Sequence, residues 1–257
     1  GSGVVVVQGT GGTGTGTSDK NLGVSLGSGE VTPLGSITSA GGSVTVTGQG
    51  GASPGGDNYG VYVEDGGTTI RAGSGGAVSV TGTGDTSAGL ATKADNVGVL
   101  VRGGTIEAEN AALTVTGTGG QGDGGGNSGV VLANNANSLS RIRGIGTATV
   151  TVQGSGGTGE GANARRNVGV AVQPYIVSGV GGIQSEGGAI VIEGTGGIDT
   201  GATKQGSQNV GVEFSTSNDF GPGSVTITGT GGVGAKENFG VNARNGVLET
   251  SNDISIT

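Results

Sequence analysis

One phrase recurs throughout this sequence. The string "ALTVTGTGG" at 112–120 returns as "SVTITGTGG" at 224–232 and, slightly altered, as "AIVIEGTGG" at 189–197. Aligning the copies gives apolar pairs at Val5/Val7, Val44/Val46, Val78/Val80, Leu113/Val115, Val150/Val152, Ile190/Ile192 and Val225/Ile227, with Ile254/Ile256 beginning an eighth. The glycine that follows falls at Gly9, Gly48, Gly82, Gly117, Gly154, Gly194 and Gly229, 34 to 40 residues apart. Self-similarity at that period marks a stacked-repeat architecture. It also changes the meaning of the composition. Glycine is 65 of 257 residues and only 31% are hydrophobic. Without a period this would read as disorder; with one, each repeat needs only a few inward side chains because its neighbours supply the walls.

A second landmark lies inside every unit. Asn-x-Gly-Val begins at Asn21, Asn58, Asn96, Asn127, Asn167, Asn209 and Asn238. A third, weaker landmark is a single large apolar residue: Ile37, Ile70, Ile106, Ile142, Ile183 and Leu248, with Phe220 alone in the sixth unit. Alternation with period two, carried by Val, Ile and Thr, predicts strands at each landmark. The expectation is an all-β, right-handed parallel β-helix (a β-solenoid) of about seven coils of three short strands. It forms one repeat domain over 1–257, with units starting near 4, 43, 77, 112, 149, 189 and 224 and a partial eighth from 253. Equivalent strands would pair at ~4.8 Å from coil to coil. In "NVGVLV" the alternation puts Val97, Val99 and Val101 on one face, and Tyr59 and Phe239 are expected to point inward. Glycine is expected at the corners, where the backbone needs positive φ.

The Thr-rich strands and glycine loops resemble the β-strand repeats of large bacterial surface exoproteins of the filamentous-haemagglutinin and autotransporter-passenger type. The resemblance covers the whole chain. It implies a secreted or surface-displayed and often adhesive protein, and it transfers no functional residue.

The seven asparagines read as a structural ladder, each amide bonding to the next coil. None begins an Asn-x-Ser/Thr sequon. A second outward column, Arg71–Glu107–Arg143, alternates in sign and reads as a surface charge ladder. A third column follows Asn-x-Gly-Val and includes Tyr62, Leu100, Val131 and Ala171 on consecutive coils. It is expected either to be scattered surface apolars or residues under a loop, or to form an exposed apolar stripe for lateral contact with another subunit or surface.

Chemistry is bounded by what is missing. With no His or Cys, neither imidazole or thiolate metal sites nor Ser–His or Cys–His nucleophiles can be built. Glu107 and Glu109 share a face and are the best available carboxylate pair for glycoside cleavage, ahead of Glu64 and Asp65. They read better as solvated acids. "GGQGDGGG" and "GGIDTG" lack the tandem copies of a calcium-binding nonapeptide array. The outward hydroxyl pairs Thr45/Thr47, Ser79/Thr81, Thr114/Thr116, Thr226/Thr228 and Ser255/Thr257 suggest an ice-binding plane. Val6/Gln8, Gln153 and Val191/Glu193 interrupt it. A net charge of −8 with scattered basic residues argues against nucleic acid, and no apolar run reaches the length of a membrane span.

The reading is therefore a non-enzymatic structural protein of an extracellular or cell-surface fibre, matrix or adhesin, without a cofactor. Its partners would be copies of itself, stacked head to tail or in a longer array, and glycans or other surface proteins. A carbohydrate-binding or carbohydrate-cleaving β-helix is the alternative, and ice binding a minor one. No signal-peptide pattern opens the sequence; the expectation for an exported protein is that the signal has been removed or that the sequence is a mature fragment. Strands at both ends, Val4 to Gln8 and Asp253 to Thr257, suggest stacking onto further coils.

Overall fold

A computed structural model describes residues 3–15, 20–27, 35–87, 94–135, 138–161, 165–173, 181–201 and 208–257. Among them every regular element is a strand, and the long sheets are parallel throughout. The chain is a parallel β-solenoid.

The first sheet has eight strands: Val5–Thr10, Val44–Gln49, Val78–Thr83, Leu113–Thr118, Val150–Ser155, Ile190–Thr195, Val225–Thr230 and Ile254–Ile256. Each pairs with its equivalent in the neighbouring unit in exact repeat register, as in Leu113 opposite Val150 and Gly117 opposite Gly154. The second sheet has seven strands, from Val24–Leu26 to Val241–Ala243, built on the valine of Asn-x-Gly-Val. The third has five, with Ile37, Ile70, Ile106, Ile142 and Ile183 in register. About five turns thus carry a strand of all three sheets. Inward side chains of the three sheets make one continuous core in which Val46, Val80, Val115, Val152 and Ile192 are fully buried.

The third sheet stops at Gly182–Ser185 because the next unit lacks the isoleucine strand. There Asn218 repairs the join. Its Oδ1 accepts from the Ile183 N–H at 3.1 Å and its Nδ2 donates to the Ile183 carbonyl at 3.0 Å. Phe220 fills the vacated core position, edge-on to Phe214 with ring centroids 5.8 Å apart.

The narrow edge between the first and second sheets explains the repeated glycines. A Cβ placed on Gly9, Gly48, Gly82, Gly117, Gly154, Gly194 or Gly229 would lie 2.0–2.1 Å from the carbonyl oxygen of the glycine in that unit's Asn-x-Gly-Val. The glycine two residues later in each unit, from Gly11 to Gly231, faces the asparagine carbonyl at 2.2–2.5 Å in the same way. The two landmarks are therefore two sides of one contact. The backbones of the sheets touch there, and hydrogen is the only side chain that fits.

Glycine does serve positive-φ turns elsewhere, as at Gly27, Gly67, Gly75, Gly103 and Gly146, but the glycines of this edge meet a different need. None of the seven contact glycines has positive φ. One left-handed position recurs from coil to coil at the residue before the ladder asparagine. Lys20, Asp57, Asp95, Arg166 and Glu237 adopt φ of 53–61° there, and Gly126 adopts 82°.

Candidate functional site

The asparagine turn is the most regular polar feature of the molecule. The main-chain N–H of Asn21 donates to Asn58 Oδ1 at 3.0 Å, Asn58 to Asn96 at 3.3 Å and Asn96 to Asn127 at 3.2 Å. The series continues from Asn127 to Asn167 at 3.1 Å, Asn167 to Asn209 at 3.3 Å and Asn209 to Asn238 at 3.4 Å. The five central asparagines are fully buried. The carbonyls of Asn21, Asn96, Asn127, Asn167 and Asn209 accept from the second glycine of the next Gly-Gly pair, as in Gly157 N–H to Asn127 at 2.6 Å. Side-chain amides add bonds to turn carbonyls, with Asn127 Nδ2 reaching Gly124 and Thr158 at 3.2 Å each. Asn167 Nδ2 is the exception, buried with no hydrogen-bond partner among the described residues. Buried amides at this spacing can stack coils in a single register, because a slip would orphan several donors at once.

The charge column is also assembled. Arg71 Nε lies 3.1 Å from Glu107, and Arg143 approaches the same carboxylate at 3.8 Å from the other side. Arg71 also reaches Glu109 at 3.2 Å, and Arg143 pairs with Glu186. The Gly146 N–H and Arg143 hold the Glu186 carboxyl below the usual carboxylate range. Glu107 and Glu109, the carboxylates singled out from sequence, are thus bridged by one arginine. Glu64 pairs with Arg102 at 3.6 Å, and Asp65 accepts from Asn135 at 3.0 Å.

The column Tyr62, Leu100, Val131 and Ala171 is not an exposed stripe. It faces away from the main core, yet Tyr62 and Leu100 are buried, Ala171 is fully buried and Val131 is half-buried. The x residue of Asn-x-Gly-Val folds back over it. Tyr59 and Val97 cover Tyr62 and Leu100, while Val168 and Val210 cover Ala171. Val97 therefore does not share a face with Val99 and Val101, because the tight edge at Gly98 turns the chain between them. Tyr59 likewise belongs to this satellite layer, edge-on to Tyr62 at 5.2 Å, and Phe239 is exposed. Burial pushes both tyrosine hydroxyls above the ordinary phenol range. The Tyr59 hydroxyl donates to Asp57 at 2.8 Å.

Beside this layer lies a groove of about 470 Å³. Its floor is Val97, Leu100, Val131 and the bare backbone of Gly125 and Gly126. Asp57 and Asp95 stand at one end and Arg165 and Arg166 at the other. Asp95 as a residue is exposed, but its carboxyl tucks over Gly126, where an added Cβ would sit 1.9 Å from Oδ1. Loss of water at that oxygen, then the charge of Asp57, raise its pKa, and Arg166 opposes them. Arg166 is itself tied to Glu213 at 3.2 Å. The sequence did not reveal this groove. Its signal is the left-handed residue before the ladder asparagine, which is charged at Lys20, Asp57, Asp95, Arg166 and Glu237 and glycine at Gly126.

The first sheet presents its hydroxyl pairs outward together with a third column beyond the pairs, Thr10, Thr83, Thr118, Ser155, Thr195 and Thr230, which Gln49 interrupts between Thr10 and Thr83. Gln153 and Glu193 hydrogen-bond to each other at 2.7 Å across this array. Among the described residues no cluster of acids converges to hold a metal ion, and no helix is long and apolar enough to cross a membrane. No protein-family model, curated protein or solved structure matches the chain.

Proposed function

We propose that this chain is a structural element of an extracellular or cell-surface fibre, matrix or adhesin. In this reading it is a right-handed solenoid of seven three-strand coils that extends by end-to-end stacking. One observation carries the reading. Among the described residues seven large apolar side chains are exposed, and six of them lie on the first or last coil: Val4 and Val6 at one end, and Val233, Phe239, Val247 and Ile256 at the other. Ile198 is the seventh. Among the described residues, exposed apolar side chains are thus concentrated on the coils where another coil would add. The strands Val5–Thr10 and Ile254–Ile256 also leave one edge of the first sheet open at each end. Such edges are templates for strand addition. A heterologous contact of this kind propagates rather than closes.

The test is particle length against concentration, by electron microscopy and light scattering. Rods that lengthen with concentration, and that Phe239→Lys with Ile256→Lys shortens to single units, support the reading. Monodisperse single units at high concentration overturn it.

A further inference from the structure

We propose that the lateral groove beside the asparagine turn binds a short zwitterionic peptide, with its ammonium end at Asp57 and Asp95 and its carboxylate end at Arg165. Three features of the site point to such a ligand.

The first is unbalanced charge. Asp57 and Asp95 occupy the same turn position on consecutive coils, and among the described residues neither forms an ion pair. Tyr59 donates one hydrogen bond to Asp57 and supplies no charge. Two unneutralised carboxylates one coil apart repel each other and favour a cation between them. At the far end Arg166 is committed to Glu213, whereas Arg165 is exposed and has no ion-pair partner among the described residues. On the third sheet, by contrast, Arg71, Glu107 and Arg143 neutralise one another from coil to coil.

The second is spacing. Asp95, Gly126 and Arg166 hold equivalent turn positions on three successive coils. Two coil steps are about 10 Å at the strand spacing of a sheet. An extended chain covers about 3.3–3.6 Å per residue, so the two ends of a tripeptide lie about 10 Å apart. A single amino acid is too short to engage both poles.

The third is the floor. Between the poles the groove offers Leu100 and Val131 and two glycines, with the Gln173 carboxamide on one side. That suits a small apolar central residue with a peptide group beside it. The volume of about 470 Å³ falls within the range of small-ligand sites. The groove lies on the flank of the solenoid, so the proposal stands whether or not coils stack end to end.

The experiment titrates the protein with Ala-Val-Ala bearing free termini, followed by calorimetry and by amide chemical shifts. Saturable binding in the millimolar range, with shifts confined to the Asp95, Gly126 and Val131 neighbourhoods, is the expected result. N-acetyl-Ala-Val-Ala and Ala-Val-Ala-amide should each bind about fivefold more weakly, as should Asp95→Asn and Arg165→Gln with the free peptide. Raising the salt concentration should weaken binding of the free peptide. The blocked peptides on the unaltered protein keep the test valid if either variant misfolds. Absence of saturable binding, or equal affinity for free and blocked peptides, overturns the proposal.

Discussion

Gly154→Ala isolates the contact that organises every coil. The new methyl group would lie 2.0 Å from the Gly169 carbonyl oxygen, 2.5 Å from its carbon and 2.8 Å from a Val170 methyl. Ordinary contacts of this kind begin near 3.4 Å. The obstacle is backbone, not a side chain that can rotate away. Relief requires the first and second sheets to part, yet each is bonded to identical strands above and below. Overpacking by one carbon costs about 1–3 kcal/mol in cores that can adjust. The loss of unfolded-state freedom on replacing glycine returns only about 0.4–1 kcal/mol. A net loss of at least ~2 kcal/mol follows at this stiff site, or roughly 4–8 °C in melting temperature. Gly12→Ala is the opposite case. A Cβ there meets nothing within 4 Å and φ is not positive, so the entropic gain stands alone and the variant should be neutral or slightly more stable. Thermal and urea denaturation of both variants decide the matter. Equal effects, or a silent Gly154→Ala, would refute the claim that the two glycine landmarks touch.

Leu100→Asp places a carboxylate in the covered satellite layer. It should cost about 2–5 kcal/mol by urea denaturation, as much as truncating a buried leucine; an unchanged midpoint would mean the column is exposed after all. Arg71→Ala removes a half-exposed arginine shared by Glu107 and Glu109. The expected loss is about 1 kcal/mol or less, shrinking in high salt. Asp95 has a raised pKa in the folded state, so folding takes up a proton there and the unaltered protein loses stability as pH rises through that window. Asp95→Asn keeps a residue tolerant of left-handed backbone and removes the repulsion from Asp57. It should raise the melting temperature near neutral pH and lose the advantage at acid pH; a uniform gain or loss at all pH values would contradict the assignment.

The period of the first sheet was legible because strand alternation and a fixed glycine act together. Leu113 and Val115 turn inward and Thr114 and Thr116 outward, as period two requires. The asparagine repeat was likewise visible, since no local turn rule demands the same amide in seven successive units. Which way the intervening residues face was not. Val97 and Val99 are two apart and belong to different apolar clusters, because a backbone contact at Gly98 reverses the chain between them. Periodicity presumes a continuous strand and fails at such an edge. The left-handed turn position was hidden for a different reason. Lys20, Arg166 and Glu237 carry none of the usual signals for positive φ, and Asp57 and Asp95, though tolerant of it, do not demand it. The groove inherits that invisibility, because it is a relation between coils.

Amide hydrogen exchange at the ladder tests the account most directly. The main-chain N–H groups of Asn58, Asn96, Asn127 and Asn167 should be among the slowest to exchange, each being buried and bonded to the next asparagine. Asn127→Ala removes the acceptor of Asn96 alone. It should cost ~1–3 kcal/mol and accelerate exchange at Asn96 beyond its neighbours, while Thr114→Ala stays within ~0.5 kcal/mol. Unchanged protection of the Asn96 amide in Asn127→Ala would contradict a solenoid stacked in register by its asparagines.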